Sequence, residues 1–110
     1  MNLRILLVSV FLFTASNSEA VNKKLKPQTH QILIENMLFN PAEITIHKDD
    51  IIVWINKDLV PHTVTSLKKF FDSGTISSAT TWTYQIKVSD IVEYHCLFHP
   101  AMKGKITVKN

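Results

Sequence analysis

The sequence contains a single cysteine, Cys96, and this scarcity restricts how the chain can be stabilised. An intramolecular disulfide is excluded, although small domains often depend on a disulfide or a metal for part of their stability. Outside the reducing cytoplasm, a free thiol is also exposed to oxidation unless a neighbouring group occupies the sulfur. The surroundings of Cys96 are therefore the first place to look for function.

The sequence also lacks a dense run of basic residues. The formal net charge is only +3 at pH 7. The lysines are scattered, apart from Lys23, Lys24 and Lys26. A nucleic-acid-binding domain typically concentrates its basic residues on one face. This distribution argues against a nucleic-acid partner and favours solubility, or weak steering toward an acidic partner.

No apolar run is long enough to cross a bilayer, which takes about 20 residues. The longest run, Ile5–Phe13, follows the basic Arg4 and precedes small residues at Ser18 and Ala20. This order is typical of a secretory signal peptide. Residues 1–20 are therefore predicted to be removed on export to the periplasm. Because no cysteine lies near the cleavage site, neither a lipid anchor nor a membrane anchor is expected after cleavage.

Residues 21–110 are predicted to form one domain, in which 21–29 is a flexible lead-in. No sustained helical period occurs there, whereas short runs with apolar residues at every second position recur between turn signals. This pattern predicts an all-β fold, a Greek-key β-sandwich of about seven to eight antiparallel strands. The predicted strands are His30–Glu35, Glu43–His47, Ile51–Ile55, His62–Ser66, Thr81–Lys87, Val92–Cys96 and Lys105–Lys109.

Cys96 opens the motif C-x-x-H-x-x-M within the stretch YHCLFHPAMKG. The sulfur could belong to a buried structural thiol, a catalytic nucleophile or a metal ligand. Cys96, His99 and Met102 would together supply a thiolate, an imidazole and a thioether. Such a soft donor set favours copper over hard cations.

An electron-transfer copper site needs a second histidine, and His62 is the best candidate. It follows Pro61 and begins the alternating stretch HTVTS. Strand ends cluster at one edge of a sandwich, so a histidine at the start of one strand can face a cysteine at the end of another.

Three stretches, WINKDLVPHTVTS, FDSG and YHCLFHPAMKGKITV, occur in an order and spacing that resemble the cupredoxin family of type 1 blue copper proteins. Within the family, the short loop is most similar to that of amicyanin and plastocyanin-like members. The resemblance implies a cupredoxin-like fold and one copper ion. It also implies that His62, Cys96 and His99 are equatorial ligands and that Met102 is the axial ligand.

Two features depart from the usual pattern of that family. Thr63 stands where the family often has asparagine, whose side chain bonds to the cysteine loop, and we expect the hydroxyl to replace that bond. Aspartates stand in two turns that usually carry glycine, Asp49-Asp50 and Ser89-Asp90. Aspartate tolerates the left-handed backbone conformation better than most residues, so these turns should still form.

The resemblance implies a single-electron carrier that cycles between Cu(II) and Cu(I), and not an enzyme. An alternative is a periplasmic copper carrier or buffer that uses the same four residues. A thiol enzyme with Cys96 as nucleophile is a third possibility, but no Asn or Asp is positioned by sequence to orient a histidine base. The implied redox partners include an amine dehydrogenase and a cytochrome c, and a monomer is expected.

Apolar residues near the motif predict a docking surface for redox partners around His99. His95 alternates to the opposite face from Cys96 and is predicted to lie at the surface, with a second electron exit as the sharper alternative. His30 and His47 are predicted to be ordinary surface residues. The apolar residues of the surface are Leu59, Val60, Pro61, Leu97, Phe98, Pro100 and Ala101.

Overall fold

The computed structural model describes residues 9, 10, 12 and 26–110. The export signal predicted at residues 1–20 lies outside the described residues, apart from those three positions, and so does most of the predicted lead-in. No helix in the described ranges is long and apolar enough to cross a membrane. The strands are β1 (Thr29–Glu35), β2 (Leu38–Asn40), β3 (Glu43–His47), β4 (Ile51–Asn56), β5 (Thr65–Ser66), β6 (Thr81–Gln85), β7 (Ile91–His95) and β8 (Lys103–Lys109).

Two four-stranded sheets form the fold, one in the order β2-β1-β4-β6 and the other in the order β3-β8-β7-β5. This arrangement confirms the predicted β-sandwich. The prediction of purely antiparallel strands was wrong, because β1 pairs with β4 and β3 pairs with β8 in parallel. Alternation of apolar residues reports which face of a strand is buried, but not the direction of its neighbour.

The core lies between the sheets, where alternate side chains of the central strands meet. In β4 the buried positions include Ile52 and Trp54, and in β7 they are Val92 and Tyr94. Trp54 packs edge-on against Tyr94, with ring centroids 5.7 Å apart. Such an edge-to-face contact adds to the stabilisation that comes from burying the rings. The core therefore joins the two sheets through their central strands.

Strand ends place several loops at one end of the sandwich. There β4 ends at Asn56, β7 ends at His95 and β8 begins at Lys103. The predicted strand His62–Ser66 is shorter than expected, since only Thr65–Ser66 form β5. His62 instead forms an isolated bridge, in which it exchanges two backbone hydrogen bonds with Ile76. His62 and Cys96 therefore lie at the same end of the sandwich, although 34 positions separate them.

At the opposite end of β4, a buried carboxylate organises the turn that precedes the strand. Asp49 adopts a left-handed conformation with φ of 76°, as expected for an aspartate in place of glycine, whereas neither Ser89 nor Asp90 has positive φ. Asp50 accepts hydrogen bonds from the N–H groups of Gln28 and His47, each at 3.0 Å.

His30 also contacts the Asp50 carboxylate, with 2.9 Å between Nε2 and Oδ2. His30 is half-buried, so its assignment as an ordinary surface residue was wrong, whereas His47 is exposed. Burial by itself would raise the pKa of Asp50, but the hydrogen bonds from Gln28, His30 and His47 outweigh it and hold the pKa below its ordinary value of 3.8.

Replacing Asp50 with asparagine is expected to lower the free energy of unfolding at pH 7 by about 1–3 kcal/mol, since hydrogen bonds to an ionised group are lost. A carboxyl whose pKa is depressed by folding contributes stability above its unfolded pKa and loses it as the pH falls through the folded value. The difference between wild type and variant should therefore shrink below pH 3.8. Urea unfolding followed by tryptophan fluorescence at several pH values measures it.

The matched control is Asp49→Asn. Asp49 contacts the exposed Lys87 at 3.2 Å, and such surface pairs contribute little. A pH profile for Asp50→Asn that runs parallel to wild type would contradict the role assigned to this carboxylate.

Candidate metal centre

Three donor side chains meet at the loop end of the sandwich: His62, Cys96 and His99. Their ligand atoms all lie within 4.8 Å of one another. His62 and Cys96 are fully buried, and His99 is half-buried. The sequence predicted that these three residues would come together, and the structure brings them together.

The distances between the donor atoms match those expected around a metal ion. The sulfur of Cys96 lies 3.7 Å from Nδ1 of His62 and 3.7 Å from Nδ1 of His99. A metal ion at about 2.0 Å from nitrogen and about 2.3 Å from sulfur spans such an edge at a bond angle of about 120°. Both sulfur–nitrogen distances therefore fit a metal ion bound by the sulfur and the two nitrogens.

The loop that carries Cys96 is closed on itself by two backbone hydrogen bonds. The N–H of Met102 donates to the carbonyl of His99 at 2.9 Å, and the N–H of Cys96 donates to the carbonyl of Met102 at 3.1 Å. These bonds fix three of the four predicted ligands relative to one another. The Met102 side chain is only 4% exposed, so it packs inward at this end of the core.

Thr63 connects the segment that carries His62 with the loop that carries Cys96. Its N–H donates to the sulfur of Cys96 at 3.3 Å, and its hydroxyl accepts the N–H of Leu97 at 2.8 Å. The expectation that this hydroxyl replaces the asparagine bond of related proteins is confirmed. The N–H of Thr63 therefore helps to hold the sulfur in place next to His62.

The hydroxyl of Thr63 is itself positioned by a short chain of hydrogen bonds. Thr65 donates to the carboxylate of Asp72 at 3.1 Å, which leaves its oxygen to accept from Thr63 at 3.0 Å. The hydroxyls of Thr63 and Thr65 therefore each have a fixed orientation. This leaves the oxygen of Thr63 in position to accept the N–H of Leu97.

Asp58 is a residue of this site that was not singled out from the sequence. Its Oδ2 lies 2.8 Å from Nε2 of His62, the ring nitrogen not directed at Cys96. The spacing D-x-x-x-H was the available signal, but it is too common to be specific. Only the fold reveals that the carboxylate contacts the imidazole.

Other predicted positions lie outside the cluster of donors. His95 is half-buried at the end of β7 and borders a groove with Leu67 and Asp72. His95 does not belong to the group of His, Cys, Asp and Glu donors found in the described part of the chain. Met37, another sulfur-containing residue, is 39% exposed.

Exposed apolar residues flank His62 and His99 along the chain. Leu59 is 93% exposed, Leu97 52% and Phe98 51%. All seven residues of the predicted set are exposed in the structure, Val60 at 41%. We call Leu59, Val60, Pro61, Leu97, Phe98, Pro100 and Ala101 the apolar rim.

Comparison with known proteins gives matches over most of the chain. A family model described as a cupredoxin-like domain matches residues 3–108. Amicyanin-alpha of Methylorubrum extorquens is 26% identical over 84 residues, covering 72% of this chain and 71% of that protein. Amicyanin of Paracoccus denitrificans is 26% identical over 86 residues, covering 69% of this chain and 62% of that protein, less than two thirds of its length.

Solved structures show the same fold. A Cu(I) structure of an amicyanin mutant superposes with a TM-score of 0.69 at 21% identity, covering 74% of this chain and 82% of the other. A purple cupredoxin from Nitrosopumilus maritimus superposes with a TM-score of 0.66 at 24% identity, covering 72% and 98%.

Proposed function

Because the chain belongs to the family of cupredoxin-like domains, we propose that it is an exported mononuclear copper protein that carries single electrons between redox partners. The observation that supports this most directly is the triangle of one sulfur and two imidazole nitrogens, with both sulfur–nitrogen distances at 3.7 Å. His62, Cys96 and His99 would hold the copper, with Met102 as a weaker fourth ligand. When bound, copper supplies a one-electron couple between Cu(II) and Cu(I).

The protein's part in this function is to keep the ligands from moving. Cys96 directly follows β7 and the loop ends where β8 begins, so the sandwich fixes both ends of the ligand loop. Thr63 then holds the loop against His62 through its N–H and its hydroxyl. A ligand set that cannot rearrange suits a site whose two oxidation states prefer different geometries.

Electron entry and exit take place through His99. Its imidazole is the only equatorial donor with substantial exposure, since His62 and Cys96 are fully buried. The apolar rim flanks His62 and His99 along the chain and would provide a docking surface without fixed polar contacts. Such small apolar contacts suit brief encounters between redox proteins. An amine dehydrogenase as electron donor and a cytochrome c as acceptor fit this role.

The same burial argues against a thiol enzyme. The sulfur of Cys96 is enclosed by Thr63 and the two imidazoles, so a substrate has no approach to it. Burial of the donors also favours retention of the metal over its release to an acceptor. We further propose that residues 1–20 direct export to the periplasm, and that the remaining chain acts as a monomer.

The test is to purify residues 21–110, add Cu(II), and record the visible spectrum before and after reduction. An intense thiolate-to-Cu(II) band, lost on one-electron reduction and regained on oxidation with the metal still bound, is the expected result. Release of the metal on reduction would instead favour a copper carrier. A colourless, folded protein whose thiol titrates freely would contradict the proposal.

A further inference from the structure

The imidazole of His62 has a different partner at each ring nitrogen. Nδ1 is directed at the sulfur of Cys96 across 3.7 Å, whereas Nε2 lies 2.8 Å from Oδ2 of Asp58. A neutral imidazole carries one proton, and the nitrogen that binds a metal must be free of it. Metal binding at Nδ1 therefore requires the proton on Nε2, from which it is donated to Asp58.

Asp58 is held by a turn that is distant in sequence. The N–H of Asn36 donates to Oδ1 at 2.8 Å, and the N–H of Met37 donates to Oδ2 at 3.0 Å. Both residues have left-handed φ values, 54° and 61°, in the turn between β1 and β2. Two successive left-handed residues direct their N–H groups to one side, where they form a concave site for an anion.

These contacts suit a carboxylate. Two backbone N–H groups donate to its two oxygens, and Nε2 of His62 lies within hydrogen-bond distance of Oδ2. The side chain is 15% exposed. Asp58 is therefore a negative charge in a largely buried place, where the dielectric screening is weaker than in water.

The backbone around Asp58 is also fixed. Its N–H donates to Oδ1 of Asn56 at 2.9 Å, and Ser78 donates its hydroxyl to the carbonyl of Asp58 at 2.6 Å. Asn56 is fully buried and donates in turn to the carbonyls of Val60 and Ile76, each at 3.0 Å. These hydrogen bonds hold the backbone of Asp58 in place, so that its carboxylate lies next to Nε2 of His62.

We propose that Asp58 is a positioning residue that fixes the orientation of His62 and favours Cu(II) over Cu(I) at the metal site, an inference that rests on the proposed function. A carboxylate behind a ligand histidine makes the imidazole a stronger donor and sets its tautomer. Its negative charge stabilises the ion of higher charge more than the ion of lower charge. The protein thus lowers its reduction potential through a residue that does not itself bind the metal.

The first measurement compares copper-loaded wild type with Asp58→Asn by redox titration. The ratio of Cu(II) to Cu(I) affinity is expected to fall about tenfold in the variant, within the range seen when outer-shell partners of metal ligands are removed. For a one-electron couple this is a rise in reduction potential of about 59 mV. The matched control is Asp90→Asn, which makes the same change beside Ile91 at the far end of β7 and should leave the potential unchanged.

The second measurement needs no copper. Nitrogen-15 NMR of the copper-free wild-type protein at alkaline pH should show the His62 proton on Nε2, and Asp58→Asn should weaken that preference. A proton on Nδ1 in the wild type, or an unchanged potential in a copper-loaded Asp58→Asn protein, would overturn the inference. If the wild type failed to bind copper, the proposed function would fail separately, since the tautomer reports the Asp58–His62 contact alone.

Discussion

Replacing Cys96 with alanine is expected to abolish the visible absorption of the copper-loaded protein and to reduce its affinity for Cu(II) by more than about 100-fold, a larger loss than outer-shell substitutions cause. The thiolate is both the strongest donor of the set and the origin of the charge-transfer band. Without it, only two imidazoles and a weak thioether remain. Absorption spectroscopy and competition with a Cu(II) chelator measure the two effects.

The fold should survive this substitution. Cys96 is fully buried and also acts as a small apolar side chain, so its truncation should cost about 1 kcal/mol. Circular dichroism of the copper-free variant should therefore match that of the wild type. This separates loss of the metal site from loss of the structure.

The matched control is Met102→Ala on the same loop. Its backbone bonds to Cys96 and His99 do not depend on the side chain, so the loop should keep its shape. A weak axial ligand tunes the potential more than it holds the metal. We expect copper and colour to be retained while the reduction potential shifts. Colour retained in Cys96→Ala would refute the assignment of the thiolate as the principal ligand.

The sequence predicted much of the site because its donors have local signals. Cys96, His99 and Met102 lie at intervals of three on one loop, and His62 follows Pro61 at the start of an alternating stretch. The structure brings the donors of His62, Cys96 and His99 together. Whether they bind copper is tested by the visible absorption spectrum. The hydroxyl bond of Thr63 was also anticipated, since it occupies a position whose role is known in related proteins.

Asp58 could not have been assigned in the same way. Its contact with His62 depends on the turn at Asn36 and Met37, more than 20 positions earlier. Asparagine adopts positive φ more readily than most residues, but methionine rarely does, so a left-handed conformation at Met37 could not be predicted. Its effect on the site depends on tertiary contacts that no local pattern encodes.

The fold was predicted where strands are long and alternate, and was missed where they are short. β3 has the predicted bounds, whereas β2 has only three residues and was not predicted. In β2 only Phe39 is buried, so no alternation can be read from it. The parallel pairs are set by the order of strands in each sheet, a long-range property that hydrophobic periodicity does not report.

Replacing Gly104 with alanine is expected to lower the free energy of unfolding by about 3 kcal/mol, near the upper end of the usual cost of overpacking a core. Gly104 lies directly opposite Tyr94 in the pairing of β7 with β8, and an added Cβ would overlap the phenol ring. The ring cannot retreat, since it packs against Phe39 at 4.8 Å and Trp54 at 5.7 Å between centroids. For a domain of this size, the melting temperature should fall by roughly 12–24 °C.

The contrast is Gly74→Ala, where an added Cβ meets nothing within 4 Å but φ is 64°. That substitution should cost about 1–2 kcal/mol from the left-handed backbone alone. Steric overlap at Gly104 predicts in addition that truncating the ring relieves it, so Tyr94→Leu combined with Gly104→Ala should be more stable than the sum of the single changes implies. Strict additivity in that double-mutant cycle would show that the ring is not the obstacle. Gly104 lies two residues after Met102. Copper affinity of the Gly104→Ala variant would therefore show whether packing of the core beneath the ligand loop holds that loop in place.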